Sequence, residues 1–201
     1  EFFESENKPT RQTVVEAANK WSSGDKEAAV ETLKRPHVSN NSGETEWYTP
    51  PEYIEVARDV MGGIDCDPAS SDFANRTVKA ETYYTKDEDG LVQPWHGRGW
   101  MNPPYAQPLI KQFCESVSDK YAIGEIEQAC VLINNATETA FFQYMIKNAG
   151  AVCFPRGRVR FIDKAGNPSG APLQGQCIVY YGENLRFFAH SFKTFGVVLY
   201  V

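Results

Sequence analysis

The stretch Gly99-Trp100-Met101-Asn102-Pro103-Pro104-Tyr105 decides the fold. Its apolar beginning, Trp100-Met101, predicts the end of a buried strand. The two prolines that follow forbid both a helix and further strand pairing, because each lacks an N–H and fixes φ. The sequence therefore predicts a rigid turn at the C-terminal end of a strand, which is where open α/β sheets form their ligand crevices.

This turn presents an amide, two backbone carbonyls and an aromatic ring, a set that suits a planar amine. The lone pair of such an amine is delocalised into its ring, so the nitrogen is a poor nucleophile. The side-chain oxygen of Asn102 and the carbonyl of Pro103 can accept both N–H protons and draw the nitrogen toward sp3. Pro104 stiffens the turn, and the Tyr105 ring can stack on a base that has been flipped out of a helix.

The spacing of apolar residues predicts an α/β sandwich. Two short helices are expected over residues 10–35, broken near residue 24, with a linker at 37–46. Further helices are predicted at 50–61, 109–121 and 138–148, and strands at 64–66, 83–84, 100–101, 129–133, 152–154, 178–181 and 196–201. Alternating strands and helices favour a mostly parallel sheet. We expect residues 1–45 to form a helical arm and linker, and residues 46–201 the main domain.

Composition narrows the classes of partner. The net charge is −6, but from residue 151 onward six basic side chains face two acidic ones, so this part carries +4 and the first 150 residues carry −10. Such asymmetry permits one basic surface on an acidic protein. Arg156, Arg158 and Arg160 alternate as one face of a strand would, which favours either a solvent-facing ladder or a strip that contacts phosphates. No apolar run reaches the ~20 residues of a membrane span, so no membrane partner is expected.

The five cysteines form no C-x-x-C pair and the three histidines lie far apart. Buried reduced thiols, a cytoplasmic location and no metal site are therefore expected. The chain lacks an initiator Met, which suggests a processed fragment or a piece of a larger polypeptide, and the oligomeric state stays open.

The turn resembles the catalytic signature of S-adenosylmethionine-dependent amino methyltransferases, whose acceptors are adenine N6, cytosine N4 or protein glutamine. Further segments occur in the order seen in phage-type DNA N6-adenine methyltransferases, over about residues 46–182: Trp47-Tyr48-Thr49-Pro50, Asp67-Pro68-Ala69-Ser70, Tyr84-Thr85, Asp89-Gly90-Leu91 with Trp95, and residues 154–161 after the catalytic strand. The resemblance implies a Rossmann-like methyltransferase fold and transfer of a methyl group to adenine N6 in DNA, in a bacterial or phage-infected cell.

The resemblance also implies where S-adenosylmethionine binds. The expected contacts, besides Asn102, are Tyr48, Thr49 and Pro50 beside the methionine part, Asp65, Asp67, Pro68 and Ala69 in the pocket, and Asp89 and Leu91 beside the adenine ring. By the same resemblance, Arg156, Arg158 and Arg160 are expected to contact DNA. The sequence departs from many relatives in having no Gly after Asp67-Pro68.

The sequence alone leaves two other functions open. One is a methyltransferase for another acceptor, which would be cytosine N4, RNA adenine or protein glutamine. Glutamine enzymes normally carry an Asp-x-Gly-x-Gly loop that is absent here, and cytosine N4 enzymes more often have Ser at the position of Asn102. Another reading is a catalytically silent DNA-binding or DNA-mimicking module with this fold, which the overall acidity favours.

Overall fold

A computed structural model describes residues 11–34, 48–168 and 174–201 of the chain. The chain divides into two compact units, residues 1–46 and 47–201. The first unit contains helices α1 (Arg11–Ser22) and α2 (Lys26–Lys34), joined by a turn in which Gly24 has φ +90°. The two predicted helices are thus confirmed over the described residues. The predicted linker at 37–46 lies outside them.

The second unit alternates short helices with the strands of one sheet. In chain order its elements are α3 (Pro51–Met61), β1 (Cys66–Asp67), α4 (Asp72–Val78), β2 (Thr82–Tyr83), β3 (Gly97–Met101), α5 (Leu109–Ala122), β4 (Ile126–Asn134), α6 (Ala140–Ile146), β5 (Ala151–Pro155), β6 (Gln176–Tyr181), α7 (Leu185–Phe192) and β7 (Gly196–Tyr200). Helices α4 and α7 were not predicted. Among the described residues, every helix falls short of the length and apolar character that crossing a membrane requires.

The sheet has the strand order β2-β1-β3-β4-β6-β5-β7. The pairs β2-β1, β1-β3 and β3-β4 are parallel, whereas β4-β6, β6-β5 and β5-β7 are antiparallel. The prediction of a mostly parallel sheet was therefore wrong. The physical reason is the connection between β5 and β6: its described residues contain no helix that could carry the chain back across the sheet, so β6 returns antiparallel.

Helices cover both faces of the sheet. One face packs against α5 and α6 through residues such as Phe113, Val117 and Phe142. The other face packs against α3 and α7 through residues such as Ile54 and Phe188. Strand β4 supplies both cores, because alternate residues of a strand point to opposite faces. We call these the α5 face and the α3 face.

The order of the first three strands creates a crevice. The chain leaves β1 for β2 on one side and then crosses to β3 on the other side of β1. Ligands of open α/β sheets bind outside the carboxyl ends of the strands at such a switch point. The carboxyl end of β1 is Asp67, and β3 ends at Met101, directly before Asn102. The predicted strand end before the proline turn is confirmed.

Truncating the core is expected to destabilise this unit. Ile178 is fully buried in β6, so Ile178→Ala should lower the free energy of unfolding by about 2–5 kcal/mol through lost burial and a residual cavity. Urea unfolding measures the change. The control is Ile123→Ala, because Ile123 is 75% exposed and its truncation should shift stability by about 0.5 kcal/mol or less. Equal losses for the two variants would contradict this assignment of the core.

Candidate active site at the carboxyl end of the parallel strands

Asn102 is held by the tyrosine of its own turn. The Tyr105 hydroxyl donates to Asn102 Oδ1 at 2.9 Å and lies 3.4 Å from the carbonyl oxygen of Leu132. Burial raises the pKa of the Tyr105 hydroxyl, so it keeps its proton and remains a donor. An amide oxygen has two lone pairs, so Asn102 Oδ1 can also accept from a second donor. The tyrosine thus orients the amide with its oxygen as the acceptor.

The turn after β1 contains a buried carboxyl group. Asp67 is 2% exposed, and its Oδ1 accepts the Ala69 N–H at 3.2 Å. Burial raises the pKa of the Asp67 carboxyl to about 7, against smaller opposing effects of Ser70 and Ala69. Ser70 Oγ is itself buried and has no partner in hydrogen-bonding geometry among the described residues. The turn therefore holds a buried hydroxyl, Ser70 Oγ, beside a buried carboxyl, Asp67.

The acidic loop packs directly on this turn. A Cβ added to Gly90 would lie 1.9 Å from the carbonyl oxygen of Pro68, so only glycine allows this approach. The Trp95 indole N–H donates to the Gly90 carbonyl at 2.6 Å. Asp89 has φ +53°, a left-handed conformation that its own side chain supports by accepting the Leu91 N–H at 3.2 Å. Asp89 and Leu91 are thus held beside the turn after β1.

Asp65 lies apart from this group and is paired with Arg98, and its cofactor role stays a prediction from the sequence. The Asp65 carboxylate accepts the backbone N–H of Arg98 at 2.8 Å and the Arg98 Nε–H at 2.7 Å, and Arg98 Nη2 pairs with its second oxygen. The hydrogen bonds from Arg98 lower the pKa of Asp65. Arg98 lies at the beginning of β3, so this ion pair sits at the opposite end of the strand from Asn102. The carboxylate ties β1 to β3.

Tyr48, Thr49 and Pro50 are buried next to the residues that follow β5. Tyr48 and Ile162 exchange two backbone hydrogen bonds, of 3.1 and 2.9 Å. Phe161, next to Ile162, places its ring edge-on to Tyr105 with the ring centroids 6.3 Å apart. The segment 156–162 therefore links the Tyr48 segment to the proline turn.

The three arginines stand on this segment. Arg156, Arg158 and Arg160 are exposed around the buried Val159. The predicted strand face is absent, because β5 ends at Pro155 and Gly157 between the arginines is exposed as well. The backbone is anchored instead: the Arg156 N–H donates to Phe195 O at 2.9 Å. Strand β5 runs in the same direction as β3 and β4, so its carboxyl end places the arginines at the edge that carries Asn102.

A cluster of amides at this edge was missed by the sequence reasoning. Gln176 Oε1 accepts the Val159 N–H at 3.0 Å, and Gln176 Nε2 donates to Asn134 Oδ1 at 3.2 Å and to Gln174 O at 2.7 Å. Asn134 Nδ2 donates to Gln174 Oε1 at 2.6 Å. The available signal was Asn134-Asn135 directly after an apolar run, the same pattern that marked Asn102.

Four polar side chains form a row across the sheet. Trp100, Leu132 and Ile178 point to the α3 face, so the residues two positions nearer the edge, Asn102, Asn134 and Gln176, lie on that face as well. Cys66 points to the α5 face, which places Asp67 on the α3 face too. The row Asp67, Asn102, Asn134, Gln176 thus crosses β1, β3, β4 and β6 at one edge. It contains one carboxyl and three amides, of which the Gln176 amide is already used by Val159, Asn134 and Gln174.

This is an α/β fold with the Asn-Pro-Pro-Tyr turn at the switch point of its sheet. A family model described as DNA N-6-adenine-methyltransferase (Dam) matches residues 37–188. The match covers about three quarters of the chain, and the protein belongs to this family of enzymes, which methylate adenine N6 in DNA with S-adenosylmethionine as the implied methyl donor. A search of curated proteins finds no match. The family resemblance stated from the sequence is confirmed, and the other acceptors are not favoured.

The buried carboxyl of Asp67 predicts a pH-dependent stability. Its pKa is about 7 in the folded protein against an ordinary value of 3.8, so between pH 4 and pH 7 the folded state holds a proton that the unfolded chain has lost. The free energy of unfolding should therefore fall as the pH rises through this window, by up to about 4 kcal/mol, and level off above it.

Asp67→Asn cannot ionise and should lack this fall, so its stability relative to the wild type should increase from pH 5 to pH 8. Urea unfolding at both pH values measures the difference, and Asp87→Asn on the exposed loop is the control. If Asp67→Asn and the wild type change equally between the two pH values, the buried carboxyl is not the cause.

Proposed function

We propose that S-adenosylmethionine binds along the turn after β1, and that the target adenine enters the crevice between this turn and Asn102. The single observation that carries the proposal is the position of the Asn102 acceptor beside the Asp67 turn at the switch point of the sheet. The parallel strands β2, β1, β3 and β4 support a Rossmann-like methyltransferase sandwich.

The residues around the turn fit a nucleoside-containing ligand. The Ser70 Oγ and the Asp67 carboxyl supply polar groups in the turn. The close packing of Gly90 on the Pro68 carbonyl holds the acidic loop against this turn. Within this pocket we assign Pro68 and Ala69 to the turn that holds the ligand. Tyr48, Thr49 and Pro50 would contact its methionine part, and Asp89 and Leu91 would flank its adenine ring. Asp65 is not included in the proposed pocket, because its carboxylate is paired with Arg98.

The turn residues prepare the amine for attack. Asn102 Oδ1 and the Pro103 carbonyl accept the two N6 protons, which holds the nitrogen with its lone pair directed out of the ring plane. Pro104 fixes the backbone that presents both acceptors. When bound, S-adenosylmethionine supplies an electrophilic methyl group: the N6–C bond forms as the C–S bond breaks. The amine proton then leaves to water, because an amide is not an effective base.

Tyr105 has two roles in this proposal. Its ring stacks on the flipped base, as the sequence indicates, and its hydroxyl keeps the Asn102 oxygen turned toward the amine. Both roles use the same side chain without conflict, because the ring face and the hydroxyl edge point in different directions.

We place DNA on the arginine side of the crevice. Arg156, Arg158 and Arg160 would contact phosphates, which position a duplex without reading its sequence. On the far side of the sheet, beside β2, a groove of about 560 Å³ is lined by Asp72, Glu81 and Glu88 among others. These carboxylates would repel phosphates, which favours the arginine side.

The domain division and location are further parts of the proposal. We assign the methyltransferase to residues 46–201 and a helical arm to residues 1–45, supported by the two compact units and by the family match. A cytoplasmic location is supported by five buried reduced thiols at positions 66, 114, 130, 153 and 177.

Asn102→Ala tests the catalytic assignment. Removing one preorganised acceptor should lower the rate of methyl transfer by about 100-fold or more, because the amine loses a hydrogen bond on which its attack depends. The measurement is the amount of label from methyl-labelled S-adenosylmethionine that is found in N6-methyl-2′-deoxyadenosine after the DNA is digested to nucleosides.

Calorimetric titration of S-adenosylmethionine into Asn102→Ala should show affinity close to the wild type. Gln112→Ala, on the exposed surface of α5, is the matched control and should keep full activity. Loss of cofactor binding in Asn102→Ala would contradict its assignment to the base amine.

The arginines predict a salt dependence. The double variant Arg156→Ala/Arg160→Ala should weaken DNA binding and reduce the slope of log K against log salt by about 2, roughly one for each phosphate that is no longer neutralised. Fluorescence anisotropy at several salt concentrations measures the slope. Lys111→Ala/Lys147→Ala changes the net charge equally, on α5 and directly after α6, and it should keep the wild-type slope. Equal slopes for the two double variants would overturn the DNA placement.

A further inference from the structure

The orientation of the Asn134 amide is fixed by a chain of hydrogen bonds. Because the Val159 N–H occupies Gln176 Oε1, the Gln176 NH2 must face Asn134 and the Gln174 carbonyl, and both of its hydrogens are used. Asn134 Oδ1 therefore faces Gln176, and one Nδ2 hydrogen goes to Gln174 Oε1. Its second Nδ2 hydrogen has no acceptor among the residues that the structure describes.

The distance between Asn134 and Asn102 suits one base. Met101 pairs with Val131 in the parallel ladder, so Asn134 lies two residues further out along its strand than Asn102 does. This offset amounts to ~6–7 Å along the strands and ~5 Å across them, or about 8 Å in total. Two hydrogen bonds of ~3 Å each and the edge of a purine between them span this gap. Both side chains lie on the α3 face.

We propose that Asn134 reads the target base by donating its second Nδ2 hydrogen to adenine N7. The inference rests on the proposed function, in which Asn102 and Pro103 hold N6. Adenine and cytosine both carry a ring nitrogen next to the carbon that bears the amine, but only adenine has a further acceptor, N7, on the other side. An N–H placed there favours adenine, and asparagine is the side chain that commonly pairs with the N6–N7 edge.

Gln176 is the positioning residue for this contact. In this proposal Gln176 does not contact the base, but it determines which end of the Asn134 amide points outward. Gln176 is itself held by the backbone N–H of Val159 in the segment 156–162. Asn134 acts as a specificity residue and Asn102 as the catalytic one. The row across the sheet then has an order: the cofactor pocket at Asp67, the amine at Asn102 and the base edge at Asn134.

Base analogues test the contact. Duplex oligonucleotides are centred on an adenine that the enzyme methylates, and the target is adenine, 7-deazaadenine or 1-deazaadenine. The wild type should lose about tenfold in kcat/KM on 7-deazaadenine, the worth of one hydrogen bond of ~1.4 kcal/mol. Asn134→Ala should show a similar loss on adenine and no further loss on 7-deazaadenine. Gln112→Ala should keep the wild-type response to both analogues.

A second variant keeps the test decisive if Asn134→Ala folds poorly. Asn134→Asp preserves the shape but has no N–H to donate, and it should be equally insensitive to the loss of N7. The proposal is overturned if either variant shows the full 7-deazaadenine penalty, or if the variants become insensitive to 1-deazaadenine instead. Failure of the proposed function looks different, since Asn102→Ala would then still transfer methyl groups to adenine.

Discussion

Strand β3 pairs in parallel with β1 on one side and with β4 on the other, and this register sets the depth at which each polar side chain leaves the sheet. Cys66 pairs with Gly99, and Met101 with Val131. A shift of one residue in β3 would turn Asn102 to the other face and bury it against α5. The bidentate ion pair between Asp65 and Arg98 stabilises the pairing of β1 with β3, at the end of β3 that is farther from Asn102.

Much of the site could be predicted from short stretches of sequence, because strand ends and turns are determined by neighbouring residues. An apolar run that ends in Asn-Pro-Pro predicts both a strand and the position of its end, and β3 does end at Met101. Sheet direction depends on how the chain returns between strands, which apolar spacing does not encode, and so the antiparallel half was missed. The family resemblance implied a cofactor role for Asp65 as the acid at a strand end, but its partner in the structure, Arg98, is 33 residues away in the chain. Gln176 was missed because its side chain is held by the Val159 N–H, a contact between residues that are distant in the sequence.

The glycine missing from the turn after β1 has a counterpart elsewhere in the chain. Gly90 brings its backbone against the Pro68 carbonyl from a loop 22 residues later, where any side chain would collide. The close approach is made here between two segments that are far apart in the sequence. Sequence patterns that require adjacent glycines therefore overlook this arrangement, although the spatial requirement for a residue without Cβ is the same.

The segment 156–162 is tied down at three points: Arg156 to Phe195, Val159 to Gln176 and Ile162 to Tyr48. Its backbone entropy is therefore already lost when the protein folds, at roughly 1–2 kcal/mol for each residue. A ligand that binds to the exposed arginines of this segment contacts residues whose backbone needs no further ordering. Association there would resemble rigid-body docking, with a small heat-capacity change, rather than the folding of a flexible basic tail around its partner.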